Sequence, residues 1–261
     1  MSDFIVVPEG KFDIPKVLYK YRDWSNKYHK TILTKREVFF APPESFEDNE
    51  DCRVPIRYDL LTDEEIFNRY LKRVNNEHPN WTNLRKRAEA RFWFNKGLLR
   101  DEKHLKEVDD FSWEDLNKRF GVLSLTANNN SEDMWMKYAA NKKGICVGFD
   151  TELMFDDKSK VGGGGNVIYF DEFPIIHPLE ESMQKMLKQI YFKKSEWGFE
   201  EEYRVHKMHP KYINSGQRIY SVPEGAIIEI ILGAKMESQD KAEIMKVVDE
   251  NCRYAKIIEL N

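Results

Sequence analysis

Three pairs of polar residues, each spaced two positions apart, are the groups in this chain best suited to chemistry: Lys20 with Arg22, Ser124 with Thr126, and Glu200 with Glu202. In an extended segment residues i and i+2 point to the same side, so each pair presents like groups to one surface. If the three surfaces converge, a cleft results that holds cations for an anionic ligand, hydroxyl donors and two carboxylates. A carboxylate beside an electron-poor sugar carbon stabilises an oxocarbenium-like transition state. In such a site the second carboxylate orients the attacking group and the hydroxyls hold a ribose or nicotinamide. Glu200, Glu202 and Arg204 on one strand face are costly to bury unpaired, so that face is solvated, cross-paired or part of a site.

The elements that must carry these residues are legible from periodicity. Val17–Arg22 alternates and follows Pro15, as a first strand does. Glu37 to Ala41 reads as a second strand, stopped by Pro42 and Pro43. The acidic run PPESFEDNEDC reads as a solvated loop, or as a cleft border on which Phe46, Glu47 and Asp48 touch a ligand. From Thr62 to Phe120 the pattern turns helical: Thr62 caps DEEIFNRYLKRVNNE, a second helix covers Asn83 to Asn95, and a short third covers Ser112 to Arg119. Gly121 to Asp150 predicts strand, Asn-rich loop, helix capped by Asn130 or Ser131, termination at Gly144, and strand Ile145 to Phe149. The four glycines after Val161 lack the Lys-Ser/Thr of a phosphate loop and predict a flexible linker into strand Asn166 to Phe170. Leu179 to Tyr191 predicts an amphipathic helix, Glu200 to Val205 a strand, and Ala226 to Leu232 the buried central strand. Arg218 to Ser221 and Ala255 to Glu259 complete the strands, with helix Lys241 to Asn251 between the last two. The expectation is one α+β domain over 1–261, with a mixed or antiparallel central sheet and a helical insertion at about 62–120.

Other clusters support different chemistry. Trp135 and Tyr138 are large aromatics beside the hydroxyl pair, suited to a cleft wall or to holding a nucleotide. Arg85, Lys86, Arg87 and Arg91 lie near Trp81, Phe92, Trp93 and Phe94, a mix that binds nucleic acid when exposed and otherwise covers a packed helix. The six histidines show no metal-ligand spacing, so no metal is expected; His206 with Glu202 and Asp133 is the acid–base set a hydrolase or nuclease would use.

Composition limits the choice. A formal net charge of -4 provides no global basic field for nucleic acid. The three cysteines, Cys52, Cys146 and Cys252, suggest neither a disulfide framework nor a zinc site. The N-terminal residues lack the basic and apolar regions of a leader, and no apolar run is long enough to span a bilayer. A cytoplasmic protein without membrane association is expected.

LYKYR, SLT, MWMKYAANKKGICVGF and WGFEEEYR together resemble a bacterial family known as domain of unknown function 2971, over Val17 to about Ile231. More distantly, the ordered set resembles ADP-ribosyltransferases, whose strands contribute a basic residue, a Ser and an E-x-E pair in that order. That resemblance implies NAD as co-substrate and an ADP-ribosyltransferase-like fold. Arg22 or Lys20 would hold the NAD phosphate or ribose, and Ser124 with Thr126 would support the nicotinamide ribose. Glu202 would be the catalytic carboxylate and Glu200 would position an acceptor, protein or nucleic acid, as in a toxin or phage-defence effector. The reading from another class is a non-catalytic nucleotide- or nucleic-acid-binding module built on Trp135, Tyr138 and the Arg85 to Arg91 cluster.

Overall fold

A computed structural model describes residues 14–156, 161 and 164–260. The N-terminal stretch inspected for a leader, and part of the four-glycine run, lie outside the described residues. Along the chain come β1 (Val17–Arg22), α1 (Thr31–Thr34), β2 (Glu37–Phe39), α2 (Asp63–Glu77), α3 (Asn83–Asn95) and α4 (Glu102–Arg119). Next are β3 (Phe120–Thr126), α5 (Glu132–Tyr138), β4 (Ile145–Asp150), α6 (Thr151–Met154), β5 (Gly164–Asn166), β6 (Ile168–Phe170) and α7 (Ser182–Tyr191). The chain continues through β7 (Phe192–Lys194), β8 (Glu202–Met208), β9 (Ile219–Ser221), β10 (Ile227–Leu232), α8 (Ser238–Asn251) and β11 (Lys256–Glu259).

The fold is α+β around a seven-stranded sheet of order β11-β10-β4-β1-β3-β8-β5. The β10–β11 pair is parallel and the other neighbours are antiparallel. β1, rather than the isoleucine-rich β10, therefore occupies the middle; β10 is interior but second from the edge. Alternation sorts the strand residues between two cores. Leu18, Leu123, Leu125, Val147, Phe149, Val205 and Ile230 pack with Trp24, Leu33, Ile244 and Val248. Tyr19, Tyr21, Cys146 and Ile231 pack instead with Met134 and Trp135 of α5. Among the described residues no helix is long and apolar enough to cross a membrane.

The helical insertion forms between β2 and β3. α2 begins with the expected capping box: Thr62 Oγ1 accepts from Glu65 N at 3.2 Å while Glu65 Oε2 accepts from Thr62 N at 2.8 Å. Its Ile66 and Tyr70 pack in a cluster with Ala90 of α3, and Val74 is buried as well. The third helix is longer than its sequence suggests, spanning 18 residues from an Asp101 cap instead of starting at Ser112. Only Asn117 of α4 is fully buried, so the first turns carry no continuous apolar stripe to announce them.

Three further expectations are corrected. α5 ends at Tyr138 and the chain then passes through left-handed Ala140, Asn141 and Lys142. Gly144 serves a different purpose: a Cβ there would sit 2.2 Å from the Arg22 carbonyl, so glycine lets this turn close against β1. Gly164 and Gly165, read as linker, are paired with Val205 and Arg204 as strand β5, and the expected strand Asn166 to Phe170 is divided between β5 and β6. Glu200 is not on a strand. It ends a 3-10 turn, Ser195–Glu200, and β8 begins at Glu202 after Glu201 adopts φ 41°.

Candidate functional site

β1, β3 and β8, the three strands carrying the polar pairs, are neighbours in the sheet. β3 and β8 pair continuously from Phe120–Met208 to Thr126–Glu202. β1 and β3, by contrast, are joined at a single position, Tyr19 opposite Thr126. Beyond it the sheet opens, and Lys20 Nζ crosses the gap to donate to the Ser124 carbonyl at 2.5 Å. A cleft of about 280 Å³ lies there, and Lys20, Arg22, Ser124, Tyr138, Glu200 and Glu202 all line it.

The far wall is a buried ion cluster. Arg204 is 1 % exposed and every guanidinium nitrogen is engaged. Nε and Nη2 donate to the two oxygens of Glu202 at 2.8 and 2.9 Å, and Nη1 donates to Asp51 Oδ1 at 2.8 Å and to the Ile190 carbonyl at 2.6 Å. Nη2 also meets Asp51 Oδ2 at 2.5 Å. Lys193 then bridges to Glu200 at 2.5 Å and Glu202 at 3.4 Å, and Tyr138 donates its hydroxyl to Glu200 Oε1 at 2.5 Å. Burial by itself would raise the Glu202 pKa, but Arg204 and Lys193 outweigh it and hold this carboxyl below the usual range. Glu200 moves the opposite way: burial and the Glu202 charge raise it despite Lys193. The two carboxylates thus differ in environment, one fixed as an anion and the other closer to accepting a proton.

The near wall carries two cations without direct ion pairs. Among the described residues neither Lys20 nor Arg22 forms an ion pair, and the Arg22 side chain has no hydrogen bond. Burial lowers Arg22 to about 10, and burial followed by the adjacent Arg22 pushes Lys20 well below its ordinary value. Two desolvated cations side by side, neither in a direct ion pair among the described residues, favour an anion even with the Glu202 and Glu200 charges acting on Lys20. Phe46, Tyr138 and Trp197 supply the aromatic part of the cleft lining.

Two of the residues read as cofactor-binding do not line the cleft. Thr126 is buried, with its Oγ1 accepting from Asn128 N at 3.0 Å. Trp135 is 2 % exposed, edge-on to Tyr21, with Nε1 bonded to the Asn129 carbonyl. His206 also lies outside the lining, sharing a 2.9 Å hydrogen bond with Tyr191. Sequence reasoning missed Asp51, Lys193 and the orienting role of Arg204. The nearest signal for Asp51 was its neighbour Cys52, a small apolar residue within an otherwise polar loop. Phe46, Glu47 and Asp48, raised as a cleft border, do line it.

A family described as Protein of unknown function (DUF2971) matches residues 134–205. That span runs from α5 into β8 and includes Tyr138, Glu200 and Glu202, while Lys20, Arg22 and Ser124 fall outside it. It is narrower than the stretch over which the motifs suggested a resemblance. No curated protein and no solved structure matches the chain.

Proposed function

We propose that this cleft is the site of an ADP-ribosyltransferase-like enzyme acting on NAD. What supports the reading most is the opening of the sheet between β1 and β3, which gathers an ordered basic, hydroxyl and E-x-E set around one cleft. Lys20 and Arg22, cations without a direct ion pair among the described residues, take the diphosphate. Ser124, which lines the cleft together with Glu202, orients that carboxylate beside the ribose. Glu202, held ionised, stabilises positive charge developing at the sugar carbon, and Glu200, with its raised pKa, takes a proton from the attacking group. NAD supplies the labile glycosidic bond, and the acceptor is a protein, a nucleic acid or water.

A second reading rests on a specific observation: both Glu202 oxygens are already occupied by Arg204. An acid so committed suits a wall that shapes a nucleotide-binding module without chemistry. Glu202→Gln distinguishes the two. The enzyme reading expects nicotinamide release from NAD to fall by about a hundredfold or more, with the fold checked by circular dichroism. NAD binding without nicotinamide release by the unmodified protein would support the binding module, and an unchanged turnover in the variant would sink the catalytic assignment. The hydrolase or nuclease reading through Glu202 and His206 lacks comparable support, since His206 does not line the cleft.

A further inference from the structure

Two buried polar atoms on cleft-lining residues have no hydrogen-bond partner among the described residues: Asp48 Oδ2, an acceptor, and Trp197 Nε1, a donor. Each is withdrawn from water without compensation, a condition folded proteins seldom tolerate without a purpose. Neither side chain is loosely held. Asp48 Oδ1 accepts from Glu50 N at 2.9 Å, which fixes the carboxylate on its own turn. The Trp197 ring has Lys137 Nζ at 4.5 Å and Lys193 Nζ at 4.7 Å from its centroid.

The two residues belong to the same part of the cleft. Lys137, which contacts Trp197, also pairs with Glu47 at 2.5 Å, one residue before Asp48. Lys193, the other cation on that ring, reaches Glu200 at 2.5 Å. The unmatched acceptor and donor therefore lie on the side of the cleft that holds the carboxylates, with the aromatic faces of Phe46 and Tyr138 in the same lining. A ligand that completes this wall carries an N–H donor and a carbonyl acceptor on a flat ring.

We propose, resting on the NAD reading above, that Asp48 and Trp197 recognise the carboxamide of the nicotinamide ring. Asp48 accepts from the amide N–H and Trp197 donates to the amide carbonyl. The pair makes the site selective for the amide, because the corresponding carboxylic acid has no N–H for Asp48 and brings a second negative charge against it. Adenine also offers a donor beside an acceptor, so a ligand that keeps the adenine and loses the carboxamide separates the two possibilities.

The test is calorimetric binding of NAD, nicotinic acid adenine dinucleotide and ADP-ribose to the unmodified protein and to Asp48→Asn and Trp197→Phe. The unmodified protein should favour NAD over the nicotinic acid analogue, and over ADP-ribose, by at least about tenfold. Asp48→Asn leaves an oxygen for Glu50 N but sets an NH₂ group where the free acceptor stood, so the preference between amide and acid should shrink or reverse. Trp197→Phe keeps an aromatic ring and should weaken NAD while leaving ADP-ribose unchanged. Equal binding of NAD and its acid analogue, with Asp48→Asn altering neither, overturns the carboxamide assignment and leaves the nucleotide site standing. ADP-ribose binding as tightly as NAD overturns it in the same way. Failure of all three ligands to bind overturns both this inference and the NAD reading.

Discussion

At the scale of single residues, the cleft is defined by which charges are neutralised and which are not. Glu202 and Arg204 complete each other, and with Asp51, Lys193 and Glu200 they form a closed network. Lys20 and Arg22 stand outside that network. The lowered Lys20 pKa gives a sign that can be tested. An anionic ligand favours the charged lysine, so binding takes up a proton once the pH exceeds the lowered value. Affinity for inorganic pyrophosphate or NAD should therefore fall as pH rises, beginning well below the range in which an ordinary lysine titrates. Lys20→Arg should flatten that dependence, because the guanidinium keeps its proton. Titration calorimetry across the neutral to mildly alkaline range checks both statements.

At the scale of elements, the site depends on how two connections bring strands together. The αL passage of Ala140 to Lys142 and the side-chain-free Gly144 allow the α5–β4 turn to close on the end of β1, directly behind Arg22. Gly144→Ala would force its Cβ into the Arg22 carbonyl, displacing either the turn or the strand. The expected outcome is a loss of about 1–3 kcal/mol in urea unfolding, together with weaker anion binding as Arg22 moves. Normal stability with normal affinity would show that the end of β1 does not need this contact. A second connection acts at β8. Glu201 adopts a left-handed conformation, and its carboxylate accepts from Asn128 Nδ2 at 2.7 Å, linking the Asn-rich loop after β3 to the start of β8. Glu200 reaches the cleft from the 3-10 turn before that link, and Glu202 reaches it from the first position of β8.

At the scale of the whole molecule, the cleft and the basic helical face are separate features. Arg85 lies over Trp81 at 3.8 Å, and the other indole-stacking partner, His78, is 3.8 Å away between ring centroids. Arg91 lies over Phe67 at 4.6 Å. Those aromatic faces are thus engaged by the chain's own side chains, and none of these residues lines the cleft. Replacing Arg85, Lys86, Arg87 and Arg91 together with Gln should leave nucleotide affinity at the cleft within about twofold, apart from a weak long-range term that salt removes. A larger loss that persists at high salt would tie the helical insertion to the site.

Periodicity and capping determined much of this architecture without tertiary information: β1, α2 with its Thr62 cap, α3, the strand–helix–strand core of Gly121 to Asp150, and the placement of Glu202 and Arg204 on one strand face. These features are local, set by side-chain direction and by hydrogen bonds within a few residues. The Gly144 turn, the early start of α4 and the conversion of Gly164 to Asn166 into an edge strand were not legible, because a backbone approach or a distant pairing partner decides each. The ion cluster was equally hidden, since Asp51 and Arg204 are 153 positions apart and only folding reveals that they share two hydrogen bonds. Sequence placed the cations, the hydroxyls and Glu202 on three strands, whereas Glu200 ends a 3-10 turn that only the structure shows. Tertiary structure alone decided that the sheet opens between β1 and β3, leaving Lys20 and Arg22 without a direct ion pair among the described residues while Glu202 is fully paired, because charge compensation is settled by distance through space rather than along the chain.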